Sequence, residues 1–378
     1  MPFVASGPII RAMTPERRPP PPFDFDAAVT APFRMQPGLR KLAPDALQFT
    51  PLDPRSPAFA AKLAVLRAEP GEALLAEPGF DDGPACRAIA AELARQRPAD
   101  FALENDRLAL RRLGAVLDLG SGAVELRHGP AAESPAAATA SARPSGTPPC
   151  EDATAAVAPD WAGLIDALPQ ARRRQALLAL AVHEDLAVLD GDSTRLRWLA
   201  VCLPSHWAPA EKIGRSFAEV HAPVADNALL VSAAAHLARL VSQPQRWERF
   251  VWNLTPHAGL DQHPRRHPKP AWPLASGAAA VGAAAWMRTE RQTFVPLPAE
   301  MQAVFTIHVA MERLADVARD PGRARRLHDA VASMSNAVLD YRGLTAARAP
   351  LLQWLAERAQ GHDGAARPAA PGTVSGAM

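Results

Sequence analysis

Two stretches of this chain carry the residues best suited to chemistry. The first is Leu203-Pro-Ser-His-Trp-Ala-Pro-Ala-Glu-Lys-Ile-Gly-Arg-Ser-Phe-Ala-Glu-Val-His-Ala-Pro-Val224. It reads as the end of an apolar strand, a turn at Pro204-Ser205, and a short helix entered at Pro209, where a missing N–H costs nothing. Glu211 suits the positive end of that turn's dipole. A second short helical piece follows Gly214. It must end at Ala222-Pro223, because the residue before a proline is pushed out of the helical region. The bend leaves His221 at a helix end beside Phe217 and Val220, where a neutral imidazole could reach a metal in an apolar cavity. A core histidine bonded to backbone is the plainer alternative.

The second stretch is Trp286 to Leu297. Arg288, Glu290 and Gln292 alternate there with Thr289, Arg291 and Thr293, so a strand would show three polar groups on each face. One wet face is ordinary in an antiparallel sheet. Two on an interior strand call for a ligand or a partner. A carboxylate beside arginines could hold a cationic amine while the guanidinium groups bind an anion such as a propionate.

Other histidines compete with His221. His308 alternates with apolar Ile307 and Val309 and could line the same pocket or be a hydrogen-bonded sheet histidine. His236 lies on the next helical stripe with Leu229, Ala233, Leu237 and Leu240 and could face inward. His257, His263 and His267 share a proline-rich loop with Asp261. No H-x-x-x-H stands there on a predicted helix, so a solvated loop is the simpler reading. His183-Glu184-Asp185 reads as polarity at a strand entry, and Trp207 and Trp252 as core or pocket wall.

The elements that must position these groups follow from periodicity. Strands are predicted at 185–190, 195–203, 247–254, 286–297 and 303–310, with small helices and a longer helix at 226–241 between the second and third. Two strands, several small helices, then three strands is the order of a PAS domain, so the expected fold is α+β: a five-stranded antiparallel sheet with helices on one face. Helices are also expected at 57–69, 84–96 and 161–181, the last interrupted at Pro169, and at 311–318, 323–340 and 348–359. The predicted organisation is a disordered N-terminus (1–30), a helical extension (31–128), a flexible Ala/Pro insertion (129–160), the core (161–310), C-terminal helices (311–360) and a disordered tail (361–378). The 39 prolines are about twice the usual share, and many lie in the segments assigned as loose.

Composition removes several classes. With 41 basic and 39 acidic side chains there is no charge surplus to hold nucleic acid. Cys86, Cys150 and Cys202 form no C-x-x-C pair, so thiolate zinc or iron–sulfur sites are not expected. Walker, G-x-S-x-G and strand-following G-x-G-x-x-G motifs do not occur, so no nucleotide site is expected. No apolar run is long enough to span a bilayer, which reads as a soluble, cytoplasmic chain.

Leu203 to Arg215, then Val220-His-Ala-Pro-Val224, Arg288-Thr-Glu-Arg-Gln-Thr293 and Val304-Phe-Thr-Ile-His308 resemble the haem-dependent oxidative N-demethylase family. Met35-Gln-Pro-Gly-Leu39 resembles its N-terminal motif, and the resemblance runs from about residue 33 to 359. It implies a PAS-type fold holding b-type haem, and oxidation of a small secondary amine such as dimethylamine by O2. It implies electrons from NADPH through partner subunits carrying flavin mononucleotide and a 2Fe–2S cluster, with tetrahydrofolate in the assembly. Carried over residue by residue, it makes His221 the iron ligand, with His236 as rival. It makes Glu290 and Arg288 catalytic, and Arg291, Trp207 and Lys212 cofactor contacts. His206 and Ala208, and the Ala-rich segment before the fourth strand, depart from the family pattern. A haem PAS gas or redox sensor without turnover and a haem-free PAS-like interaction protein are the alternatives.

Overall fold

The computed structural model describes residues 23–126 and 160–361. The segment 127–159, with Cys150, the first 22 residues and the tail from 362 lie outside the described residues. Eleven strands form among the described ones: β1 (Arg40–Lys41), β2 (Leu74–Ala76), β3 (Phe101–Glu104), β4 (Arg107–Leu110), β5 (Ala115–Asp118), β6 (Val124–Leu126), β7 (Asp185–Asp190), β8 (Leu196–Ala200), β9 (Trp247–Thr255), β10 (Trp286–Leu297) and β11 (Gln302–Arg313).

The mixed α+β class holds, but the main sheet has seven strands rather than five. Its order is β1-β9-β10-β11-β7-β8-β2, every neighbour antiparallel. The five expected strands form its centre. The two extra strands, of two and three residues, come from the N-terminal segment and close its two sides. The expected helical extension is also only partly helical. Helices Pro57–Ala68 and Gly83–Gln96 form as predicted, but β3 to β6 follow them as a separate four-stranded meander. Asn105 and Asp106, both at positive φ, make the β3–β4 turn, a conformation Asn and Asp tolerate better than most residues.

Three further expectations shift. Residues 25–28, assigned to a disordered terminus, form a short helix capped by Asp24, whose carboxylate accepts from Ala27 N at 3.1 Å. The helix expected over 226–241 divides into Ala228–Ser232 and Ala234–Ser242. The fifth core strand runs on to Arg313, where a helix start was expected. Pro169 interrupts its helix as predicted, between Trp161–Ala167 and Gln170–Ala181.

Alternation gives the sheet two unlike faces. One face presents Leu186, Val188, Trp198 and Val304 to apolar side chains of the N-terminal helices, including Phe59, Leu63, Ile89, Leu93, Leu177 and Leu178. This burial is the main source of cohesion, at roughly 25 cal/mol per Å² of apolar surface removed from water. The C-terminal helices pack a second cluster around Leu254, Met287, Val331, Leu351 and Trp354. The other sheet face fronts a cavity.

Candidate functional site

A cavity of about 370 Å³ lies between the sheet and the stretch 205–230. The strands supply its floor. Arg249, Val251 and Asn253 of β9 stand opposite Gln292, Glu290 and Arg288 of β10, in that order. Leu189, Leu199, Phe294, Phe305 and Ile307 give most of the remaining floor an apolar surface.

His221 comes from the facing side. Its helix, Phe217–His221, is only five residues long, so its ends must be held. Ser216 and Glu219 form a capping box at the start: Glu219 N donates to Ser216 Oγ at 3.3 Å, and Ser216 N donates to Glu219 Oε2 at 2.8 Å. At the other end Asn227 Nδ2 donates to the carbonyls of His221 and Ala222, each at 2.9 Å. The imidazole stacks on Phe217 at 4.1 Å, and its Nδ1 lies 2.8 Å from the Phe217 carbonyl. A carbonyl only accepts, so Nδ1 carries the proton and Nε2 keeps its lone pair. Burial pushes the group down to about 4, and the nearby Arg249 and Lys212 charges add to this against the pull of the Phe217 carbonyl. At neutral pH His221 is therefore an uncharged base lining the cavity. The rival His236 is exposed and is not among the cavity residues, so the expectation that it could face inward is corrected. It sits on the solvent side of a helix that buries Leu237 and Ala238.

Glu290 is the carboxylate of the cavity. Both its oxygens are held: the Ser205 hydroxyl donates to Oε1, and Gln292 Nε2 donates to Oε2 at 2.6 Å. Arg288, also at the cavity wall, spends its guanidinium elsewhere. Nε donates to Ser205 Oγ, NH1 to the Leu260 carbonyl and NH2 to the Leu203 carbonyl, each at 2.7 Å. This makes Arg288 a clasp on the stretch 203–205. Arg291 does not belong to the cavity. The pleat turns it to the opposite face, where it pairs with Glu248 at 3.0 Å and donates to the Leu47 carbonyl at 2.7 Å. The expectation of a cofactor contact there is corrected. Trp207 and Lys212 do line the cavity, and Lys212 Nζ donates to the Val220 carbonyl at 3.2 Å.

His308 also points away from the cavity. Its Nδ1 lies 2.9 Å from Glu184 Oε1, and its ring stacks on His183 at 4.1 Å. The histidine loop is tied to the site stretch through backbone: Gln262 N donates to Pro204 O, and His206 N to Gln262 O, both at 3.1 Å. Asp261 is taken by Arg266 at 2.7 and 3.0 Å. Among the described residues no group of three His, Cys, Asp or Glu side chains is arranged to hold a metal ion.

The cavity also holds groups that the motifs left out. Four of its buried polar atoms have no hydrogen-bond partner among the described residues: His206 Nδ1, Arg249 Nε, Asn253 Oδ1 and Arg342 Nε. Buried polar atoms are nearly always paired, so four orphans around one cavity mark a space that suits a polar-edged ligand. Burial lowers the pKa of Arg249 and brings that of Arg342 down to about 10. His206 has φ +60, an uncommon conformation for a non-glycine residue, and its side chain is at the cavity. Arg249 was hidden in an ordinary strand pattern. Arg342 lies on a C-terminal helix far away in sequence.

A comparison with protein families matches residues 165–352 to the family described as haem-dependent oxidative N-demethylase, alpha subunit-like. The matched segment includes the cavity strands, His221, Glu290 and Arg342. It excludes β1 to β6 and the two N-terminal helices packed behind the sheet.

Proposed function

The chain belongs to the haem-dependent oxidative N-demethylase, alpha subunit-like family, and from that premise we propose that it is the haem-carrying subunit of a monooxygenase acting on a small secondary amine. For dimethylamine, the amine, one O2, two electrons and two protons give methylamine, formaldehyde and water. The order of the five central strands, with helices between the second and third, supports reading the core as PAS-like.

The observation that carries the proposal is His221. Its Nδ1–H is engaged by a backbone carbonyl, and its Nε2 lone pair is left at the wall of a largely apolar cavity. A metal-ligating histidine commonly uses its second nitrogen in this way. The cavity residues fit haem: His221 would supply a nitrogen ligand to its iron, Trp207, Phe217 and Val220 would give apolar contact, and Lys212, Arg249 and Arg342 would be cationic partners for its propionates. When bound, haem supplies oxygen activation and electron acceptance.

The chain's own residues do the rest. Glu290 binds the ammonium form of the substrate and draws it out of water. Gln292 and Ser205 hold that carboxylate in place. Phe294 and Phe305, stacked at 4.9 Å, give the methyl groups an apolar wall. Electrons come from NADPH through partner subunits bearing flavin mononucleotide and a 2Fe–2S cluster, with tetrahydrofolate in the assembly. The family's description as an alpha subunit supports separate partners.

The test is the absorption spectrum of protein purified after expression with a haem precursor, followed by NADPH-driven formaldehyde release with the partner subunits added. A Soret band that changes on adding dimethylamine, together with formaldehyde release, is expected. A colourless protein overturns the proposal. A coloured protein that ignores the amine and releases no formaldehyde overturns the demethylase reading.

A further inference from the structure

Behind the sheet lies a buried ion pair that the proposed chemistry does not use. Lys62 and Asp185 are 0% and 1% exposed, with Nζ 3.3 Å from Oδ1. Lys62 also donates to the carbonyls of Ala179, Val182 and Glu184, at 3.1, 3.1 and 2.8 Å. We propose that this pair is a positioning device for the Glu290 carboxylate, acting through the backbone that carries Ser205. The inference rests on the reading of Glu290 as the amine-binding group.

The connection is continuous. Asp185 Oδ1 accepts from Cys202 N at 3.0 Å, and Oδ2 accepts from Leu203 N at 2.7 Å. The carbonyl of that same Leu203 accepts from Arg288 NH2 at 2.7 Å. Leu203 is thus gripped on its N–H by a carboxylate and on its C=O by a guanidinium. Two residues on, Ser205 sits between Arg288 and Glu290. Arginine has donors only, so its Nε occupies a lone pair of the Ser205 oxygen, and the single hydroxyl proton is left for Glu290. The direction of that bond follows from the clasp rather than from local choice.

Lys62 stands on the helix Pro57–Ala68, outside the segment that matches the family. By this route the N-terminal part of the chain reaches the site through Asp185 and the backbone of Leu203. A buried pair costs desolvation of two ions, and an apolar pair could fill the space at no loss of stability. Its use for geometry at Leu203 accounts for its presence better than its use for stability.

The experiment removes both charges together with Lys62→Met/Asp185→Asn, so that no buried charge is stranded. It compares this protein with Ser205→Ala, with the combined variant, and with Ser205→Thr, which retains the hydroxyl. Each is checked for cooperative thermal unfolding and for the Soret band, then titrated with dimethylamine by spectral change. The double variant and Ser205→Ala each bind the amine about tenfold more weakly with haem content unchanged, as loss of one hydrogen bond to a charge implies. Ser205→Thr restores binding. The combined variant is no weaker than either parent, because the two changes break one route.

Wild-type amine affinity in the double variant, or full additivity with Ser205→Ala, overturns the inference while the reading of the site stands. A wild-type protein without an amine response overturns that reading and the inference with it. Should the double variant fail to unfold cooperatively, Lys62→Gln/Asp185→Asn, which also strands no charge and keeps an amide donor for the carbonyls that Lys62 serves, carries the same comparison.

Discussion

The two faces of the central sheet treat buried polarity in opposite ways. On the rear face polar side chains find each other. Glu184 holds His308 and accepts from Thr50 N, Arg291 holds Glu248, and Thr293 meets Thr306 at 2.6 Å while Gln48 donates to Thr293. On the cavity face Arg249, Asn253, His206 and Arg342 each retain an unpartnered atom. Both faces have similar residue types, and β10 contributes to both. The rear polarity is structure: apart from Gln48 Oε1, these side chains are completed by the fold itself. The front polarity is incomplete without a ligand, and that separates a functional face from a merely buried one.

The comparison can be broken or sharpened by experiment. The largest effect is expected on the front: His221→Ala abolishes the Soret band of haem-loaded protein, and a full band in that variant removes the ligand assignment. On the rear, Lys62→Met alone leaves Asp185 buried without its counter-charge and costs about 3–5 kcal/mol, read as a fall in the chemical-denaturation midpoint. An unchanged midpoint would mean that the rear network is not structural. Glu290→Gln weakens amine binding about tenfold or more by spectral titration, with little change in unfolding.

The pH response is smaller and should show on both faces. Burial pushes His183 and His206 down to about 4 from 6.5. The folded protein therefore binds fewer protons than the unfolded chain in this window, so stability is full above pH 6.5 and is lost as pH falls toward 4. Glu184, lowered from 4.5 to about 2 by its bonds to His308 and Thr50 against desolvation, adds a second loss between those values. A thermal midpoint of the haem-free protein that stays flat from pH 7 to 4 contradicts this. The smallest effect is at His236→Ala, which should leave the Soret band unchanged.

Much of this arrangement is readable before any coordinates. The five central strands stand close to the predicted residues because long apolar or alternating runs have a definite period. The alternation through Arg288 to Thr293 correctly divides that strand between two faces. The helix carrying His221 also ends where the sequence placed its end, but Ala222, the residue before Pro223, keeps helical dihedrals (φ −55, ψ −38), so the expected expulsion of that residue from the helical region is corrected. What was missed has physical reasons. β1 and β2 are too short to show a period, and β3 to β6, of three or four residues each, show little more. Ala233, an excellent helix former, nevertheless ends a helix, a tertiary effect with no local signal. Arg249 looked like any strand arginine, because its lack of a partner is a property of the cavity and not of its neighbours. His308 had an unreadable choice of face, which Glu184 decided.

The two short strands at the margins of the sheet have a practical consequence. Both come from the part of the chain before residue 165, so a fragment trimmed to the recognised segment would have bare backbone along β9 and β8. Such open rows pair readily with other chains. The fragment would also lack Phe59, Leu63, Ile89 and Leu93 over its rear apolar surface. Its expected behaviour is self-association into insoluble material, which makes the N-terminal region an intramolecular guard for the sheet.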